Sequence, residues 1–97
     1  MKREEAIACL KQHEPELKQL GVERLFLFGS VARNEAREDS EVDLFFDYQK
    51  GRLDLFDLMD IKERASTILG RRADIMTRDS IHRMLRLRIE QAAVPVF

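Results

Sequence analysis

Leu25-Phe26-Leu27-Phe28-Gly29-Ser30-Val31-Ala32-Arg33 is followed, after the polar stretch Asn34 to Ser40, by Glu41-Val42-Asp43-Leu44-Phe45-Phe46. The first run is apolar on both faces, which marks a central strand, and it stops at Gly-Ser, where a helix can begin. The second run alternates. Val42, Leu44, Phe46 and Tyr48 fall on one face; Glu41, Asp43, Phe45 and Asp47 fall on the other. Glu41 and Asp43 therefore project together from a largely apolar strand. Two like charges there repel each other and lose hydration unless a cation meets them. Two readings fit: a divalent metal site, for which hard carboxylate oxygens suit Mg²⁺, or an edge strand with a solvated acidic face. The neighbouring Gly-Ser turn lies where a phosphate would be held, which favours the metal.

Outward from this pair, Ile7, Leu10, Leu17 and Leu20 recur at helical spacing over residues 2–20, with Pro15 as a break near His13 and Gly21 as a stop. A short helix is expected from Ser30 to about Glu35, and a second strand from Glu41 to Tyr48. After the Lys50-Gly51-Arg52 turn, Asp54 precedes a helix to Leu69 with Leu55, Leu58, Met59, Ile61, Ala65 and Ile68 turned to the core, and Gly70 ends it. Arg72 to Thr77 is expected as a third strand that carries the lone acid Asp74. Asp79 or Ser80 would cap a last helix (Ile81, Met84, Leu85, Ile89) ending near Gln91, and Val94 to Phe97 would form a short extended tail. Two of the methionines and the phenylalanine stripe are read as core packing.

The chain of 97 residues is expected to form one domain, residues 1–97. Its formal net charge of −1 gives no global pull towards nucleic acid or anionic membrane, so neither is expected as a direct partner. Charge is nonetheless uneven: residues 35–63 hold ten acids against four bases, and residues 71–97 hold six arginines against three acids. A basic C-terminal third beside an acidic cleft suits a triphosphate. The single Cys9 excludes an internal disulfide, and no Cys/His cluster suggests zinc. No signal-like or membrane-spanning apolar run occurs, so a cytoplasmic location is expected. Neither a Gly-x-x-x-x-Gly-Lys-Ser/Thr loop nor a Gly-x-Gly-x-x-Gly fingerprint is present.

Gly29-Ser30, Glu41-x-Asp43 and the later Ala73-Asp74-Ile75, in that order and spacing, resemble the nucleotidyltransferase superfamily that includes polymerase β. At this length the chain is most similar to its minimal nucleotidyltransferase (MNT) domains, whose core reads Gly-Ser-x-Ala-Arg, a short gap and Ser-Asp-x-Asp. The resemblance runs from Gly21 to Phe97, and it departs at position 41, where Glu stands for the usual Asp. It implies an α/β (α+β) fold: a small mixed β-sheet with the three acids on one face and helices packed on the other side. It implies Mg²⁺-dependent transfer of AMP from ATP, with two ions (Mn²⁺ being an alternative) held by Glu41, Asp43 and Asp74. Asp43 would bridge both ions, and Asp74 would help take the acceptor's proton. Gly29, Ser30, Arg33 and Ser40 would bind the nucleotide. Asp47 is expected to be peripheral or structural, and His13 and His82 to lie outside the site.

Proteins of this kind are typically antitoxins that add AMP to a tyrosine of a HEPN-type toxin, so the resemblance also implies a toxin–antitoxin partner. The rival reading is a binding module that keeps the fold with weak or no catalysis and blocks its partner sterically. Glu41 favours that rival, because a misplacement of ~1 Å at a reacting centre costs ~10²-fold in rate. Gly29, Ser30, Asp43 and Asp74, all retained together, favour the enzyme.

Overall fold

The computed structural model describes residues 1–97. The chain runs α1 (Arg3–Gln12), α2 (Glu14–Gln19), β1 (Arg24–Phe28), α3 (Gly29–Ala32), β2 (Val42–Asp47), α4 (Leu55–Leu69), β3 (Ala73–Thr77), a 3-10 turn (Arg78–Ser80), α5 (Arg83–Ala92) and β4 (Val94–Pro95). Pro15 falls in the first turn of α2, where its missing N–H costs nothing, so the break at His13 yields two helices.

The four strands form one mixed sheet in the order β3-β2-β1-β4. β1 pairs antiparallel with β2 and β4, and β2 pairs parallel with β3. One face carries Leu25 and Leu27, Val42, Leu44 and Phe46, and Ala73 and Ile75 into a core shared with Ala6, Leu10, Leu17, Ile61, Ala65 and Leu69 of the helices. Each fully buried leucine there contributes about 1.5–3 kcal/mol. Asp54 caps α4 by accepting the Asp57 N–H at 2.8 Å, and the Asp57 carboxylate accepts the Asp54 N–H in return. Gly70, at φ 68°, ends α4 in the left-handed conformation that glycine adopts without strain.

The expected elements are all present, with shifted edges and one reorientation. Glu41 and Arg72 stand just before β2 and β3 rather than inside them, and α3 is a single turn ending at Ala32. The last helix is capped by His82, whose Nδ1 accepts the Met84 N–H, not by Asp79 or Ser80, which belong to the 3-10 turn. Of its expected apolar stripe only Ile81, which precedes it, is buried; Met84 is 85% exposed and Leu85 is exposed. Likewise Leu55, Phe56 and Met59 on the first turns of α4 face solvent, Phe56 at 75%. The physical reason lies in what α5 turns inward. Glu90 bonds Arg78 and Arg86 donates to the Asp79 carbonyl, so a charged stripe of α5 meets the 3-10 turn and the apolar stripe is left outside.

Candidate active site

The face of the sheet opposite the core carries the acids. The parallel register sets Asp43 beside Asp74, and Glu41 precedes β2 on the same side. Ligand oxygens of Glu41, Asp43 and Asp74 all lie within 4.8 Å of one another, and the three residues are half-buried. Glu41 accepts an ion pair from Arg72 at 3.2 Å, whereas Asp43 and Asp74 take part in none of the chain's ion pairs. Burial pushes the Asp43 carboxyl above the ordinary aspartate range, Asp74 and Glu41 push it further, and only the Arg33 charge opposes them. The fold thus holds concentrated negative charge that its own cations pair only at Glu41.

Gly29 borders this charge. The β1–β2 register places Phe28 opposite Asp43, and Gly29 follows with φ 77°. A Cβ on Gly29 would sit 2.1 Å from Asp43 Oδ2, so only glycine lets the carboxylate occupy that space. Sequence spacing suggested that this glycine admits a phosphate; the structure adds that it seats Asp43. Ser30 follows in the first turn of α3 and is half-buried.

Two expected nucleotide contacts are partly engaged elsewhere. The Arg33 Nε donates to Glu35 at 3.1 Å on the surface. Ser40 Oγ accepts the Arg37 N–H at 2.8 Å, closing the loop that delivers Glu41, and its hydroxyl proton remains free to donate. Asp47 is structural, as its position beyond the acid pair suggested: it receives Arg78 Nε at 2.7 Å and Nη2 at 3.0 Å. His82 caps a helix, and His13 Nδ1 lies 2.9 Å from the Cys9 carbonyl, so both histidines serve helix ends.

Sequence reading missed three arginines. Arg78 lies over the rings of Phe26 and Phe45, 4.8 and 5.0 Å from their centroids, and joins Asp47 to Glu90. Arg72 pairs with Glu41, and Arg71 Nη1 is shielded without a hydrogen-bond partner. A signal for two of them was present. Glu41–Arg72 and Asp47–Arg78 are each separated by 31 residues, the same offset as Asp43–Asp74, so one register relates all three pairs.

The family profile described as the nucleotidyltransferase domain matches residues 10–96. The chain belongs to the nucleotidyltransferase domain family. Among its relatives, a Methanocaldococcus jannaschii protein provisionally named protein adenylyltransferase MJ0435 is 40% identical over 82 residues, 84% of this chain and 87% of that protein. The protein adenylyltransferase MntA of Thermococcus cleftensis is 34% identical over 79 residues, 80% and 79% of the two chains. A solved structure provisionally described as a minimal nucleotidyltransferase superposes with a TM-score of 0.77 at 34% identity, over 98% of this chain and 96% of that one. The complex of tri-AMPylated Shewanella oneidensis HEPN toxin with MNT antitoxin has a TM-score of 0.64 at 13% identity over 90% of this chain and 68% of that one, which shows a shared fold. The four-stranded mixed sheet is therefore a minimal nucleotidyltransferase fold, and this nucleotidyltransferase carries its acids on the face the motif spacing implied.

Three oxygen-donor carboxylates with no histidine or thiol make a donor set for a hard divalent cation. The raised Asp43 carboxyl and the unpaired Asp74 fit such an ion, because a cation would relieve the repulsion the chain itself leaves in place.

Proposed function

We propose that this nucleotidyltransferase transfers AMP from ATP to a hydroxyl, a tyrosine in the first instance, of a partner protein of the HEPN toxin class, and thereby acts as its antitoxin. The observation that carries the reading is the cluster of Glu41, Asp43 and Asp74 within 4.8 Å, bordered by the Gly29-Ser30 turn. Residues 1–97 would act as one catalytic unit. The 40% and 34% identical relatives named protein adenylyltransferases support the nucleotide and the acceptor class.

In this reading Glu41, Asp43 and Asp74 hold Mg²⁺ or Mn²⁺, two ions in the working enzyme. When bound, the metal supplies charge stabilisation for the attacking and leaving oxygens. The residues do the rest. Gly29 and Ser30 receive the phosphates through backbone N–H groups and the Ser30 hydroxyl, and Arg33 reaches them from the end of α3. Asp43 would hold the cation against which the α-phosphate is oriented. Asp74, on the edge strand, accepts the proton of the acceptor hydroxyl as its oxygen bonds to the α-phosphorus; the bond to pyrophosphate breaks and pyrophosphate departs. The outward apolar faces of α5 (Met84, Leu85, Leu87) and of the start of α4 (Leu55, Phe56, Met59) give a helical partner surfaces to cover.

The Arg72–Glu41 ion pair favours a second reading, a binding module with weak catalysis, because a cation of the chain already occupies one ligand. Co-expression with the protein encoded next to it, followed by intact-mass analysis, separates the two. An AMP increment on the partner that disappears in Asp43→Asn and Asp74→Asn supports transfer. A stable complex without added mass in wild type supports the steric module. Added mass on RNA would sink the protein acceptor while leaving the chemistry intact.

A further inference from the structure

The acid cluster has two flanks. On the β1 side lies the Gly29-Ser30 turn, next to Asp43. On the other side β3 is the edge strand, and just before it Arg71 and Arg72 of the α4–β3 connection, with the exposed side of α4, line an open concavity of about 800 Å³. Lys62, Arg71 and Arg72 line it; Glu63 is its only acid and Met59 its only apolar residue. The groove reaches the acids directly, because Arg72 both lines it and donates to Glu41 at 3.2 Å. Arg71, in the same wall, has its Nη1 shielded from solvent, and its guanidinium takes part in none of the chain's ion pairs.

We propose that this groove binds the acceptor polypeptide next to the hydroxyl that receives the nucleotide, and that it selects an acidic segment. The inference rests on the transfer reading above and names what that site recognises. With phosphates held at Gly29 and Ser30, the β3 flank is the side left for the second substrate, and Asp74 stands on it. With Arg72 committed to Glu41, Lys62 and Arg71 against Glu63 leave the groove itself net positive on a chain of net charge −1. Guanidinium forks at Arg71 and Arg72 match carboxylates, and Met59 adds an apolar spot to the same lining. A single-stranded nucleic acid fits less well, since no aromatic residue lines the groove for base stacking and Glu63 would meet the phosphates.

The test uses the full chain and short labelled peptides with one central tyrosine flanked by glutamates, glutamines or lysines, together with oligoadenylate. Anisotropy is read at low salt with Mg²⁺ and without nucleotide, so that the neighbouring acids are met by a cation, and MgATP binding is measured in parallel. The glutamate peptide is expected to bind at least about tenfold more tightly than the glutamine peptide, the scale of a few complementary charges. Lys62→Glu, at an exposed position, and Arg71→Gln should each erase that preference while MgATP binding stays unchanged. Arg72 is left intact because it touches Glu41. Equal binding of all three peptides by wild type, or a preference that survives Lys62→Glu, overturns the proposal. So does tighter binding of oligoadenylate that both variants weaken, which would assign the groove to nucleic acid. Acidic selectivity without AMP transfer to the bound tyrosine would keep the groove and remove the transfer reading, so the two fail separately.

Discussion

Two pairs along β2, one across the ladder to β3 and one to the 3-10 turn that follows β3, contrast in charge. At one end Asp43 lies beside Asp74, like against like; at the other, four residues along each segment, Asp47 meets Arg78, acid against base. The second pair is fully engaged. Arg78 donates twice to Asp47, bonds Glu90 and covers two phenylalanine rings, and these carboxylates hold its proton more firmly than usual. The first pair is left in mutual repulsion, with Asp43 pushed towards its protonated form. The same backbone can therefore neutralise an acid when stability is the only demand. Where it does not, the charge is held ready for something that binds.

The comparison breaks most visibly at Asp43. Asp43→Asn should lower nucleotide transfer by at least about 10²-fold, the scale of losing a group that positions reacting atoms. Calorimetry should find metal-dependent ATP binding weakened by the same substitution and by chelator. Unchanged affinity under both conditions would mean the acid pair is a solvated face and no metal site.

At the engaged end the expected effect is on stability. Arg78→Ala removes a half-buried, charge-assisted pair and a cation–π contact, and should cost about 2 kcal/mol. That corresponds to a midpoint lower by about 8–16 °C for a chain of this size. Transfer per folded molecule should survive. If thermal melts do not move, Arg78 is not what fastens α5 to the sheet.

Position 41 sharpens the contrast because it combines both ends, a site acid with a cation of its own. Glu41→Gln should lower turnover by about tenfold, the low end of what perturbing a metal-site group costs. Glu41→Asp should preserve or raise it, since it restores the shorter acid usual in the resembled family. Full transfer by the Gln protein would remove Glu41 from the ligand set.

The smallest effect is a pH dependence in metal-free protein. The folded pKa of Asp43 is raised above its ordinary value of about 3.8, so between those two values the folded state holds the proton more tightly than the unfolded chain. Stability is thus lost as pH rises through that window, and the loss is complete above the raised value. Asp43→Asn should melt a few degrees higher than wild type at neutral pH in chelator, and the gap should close below about pH 3.8. Added Mg²⁺ should stabilise wild type alone. A gap that persists in acid would point to a cause other than the Asp43 charge.

Much of this was legible along the chain. Alternation placed Glu41, Asp43, Phe45 and Asp47 on one face of β2, Gly-Ser marked the turn, and the helical spacings located α1, α4 and α5. These features depend on residues two to four positions apart, where backbone geometry alone decides which side chains share a face. The apolar stripe of α5 misled for a related reason. Periodicity identifies an amphipathic helix but not which of its sides meets the protein, and here the charged side does, through Glu90 and Arg86.

By itself, then, the sequence determined the strand and helix inventory, the shared face of Glu41 and Asp43, and the Gly29-Ser30 turn beside them. The tertiary structure decided the rest. It brought Asp74 to Asp43, gave Arg72 to Glu41 and Arg78 to Asp47, seated the Asp43 carboxylate where a Gly29 side chain would be, and opened the basic groove at the β3 edge. Each of those contacts depends on the register of the parallel β2–β3 pair, 31 residues apart in sequence, on that of the antiparallel β1–β2 pair, or on how a helix is seated on the sheet. Register is set by which side chains must be buried across the whole core, so no local stretch of the chain contains it.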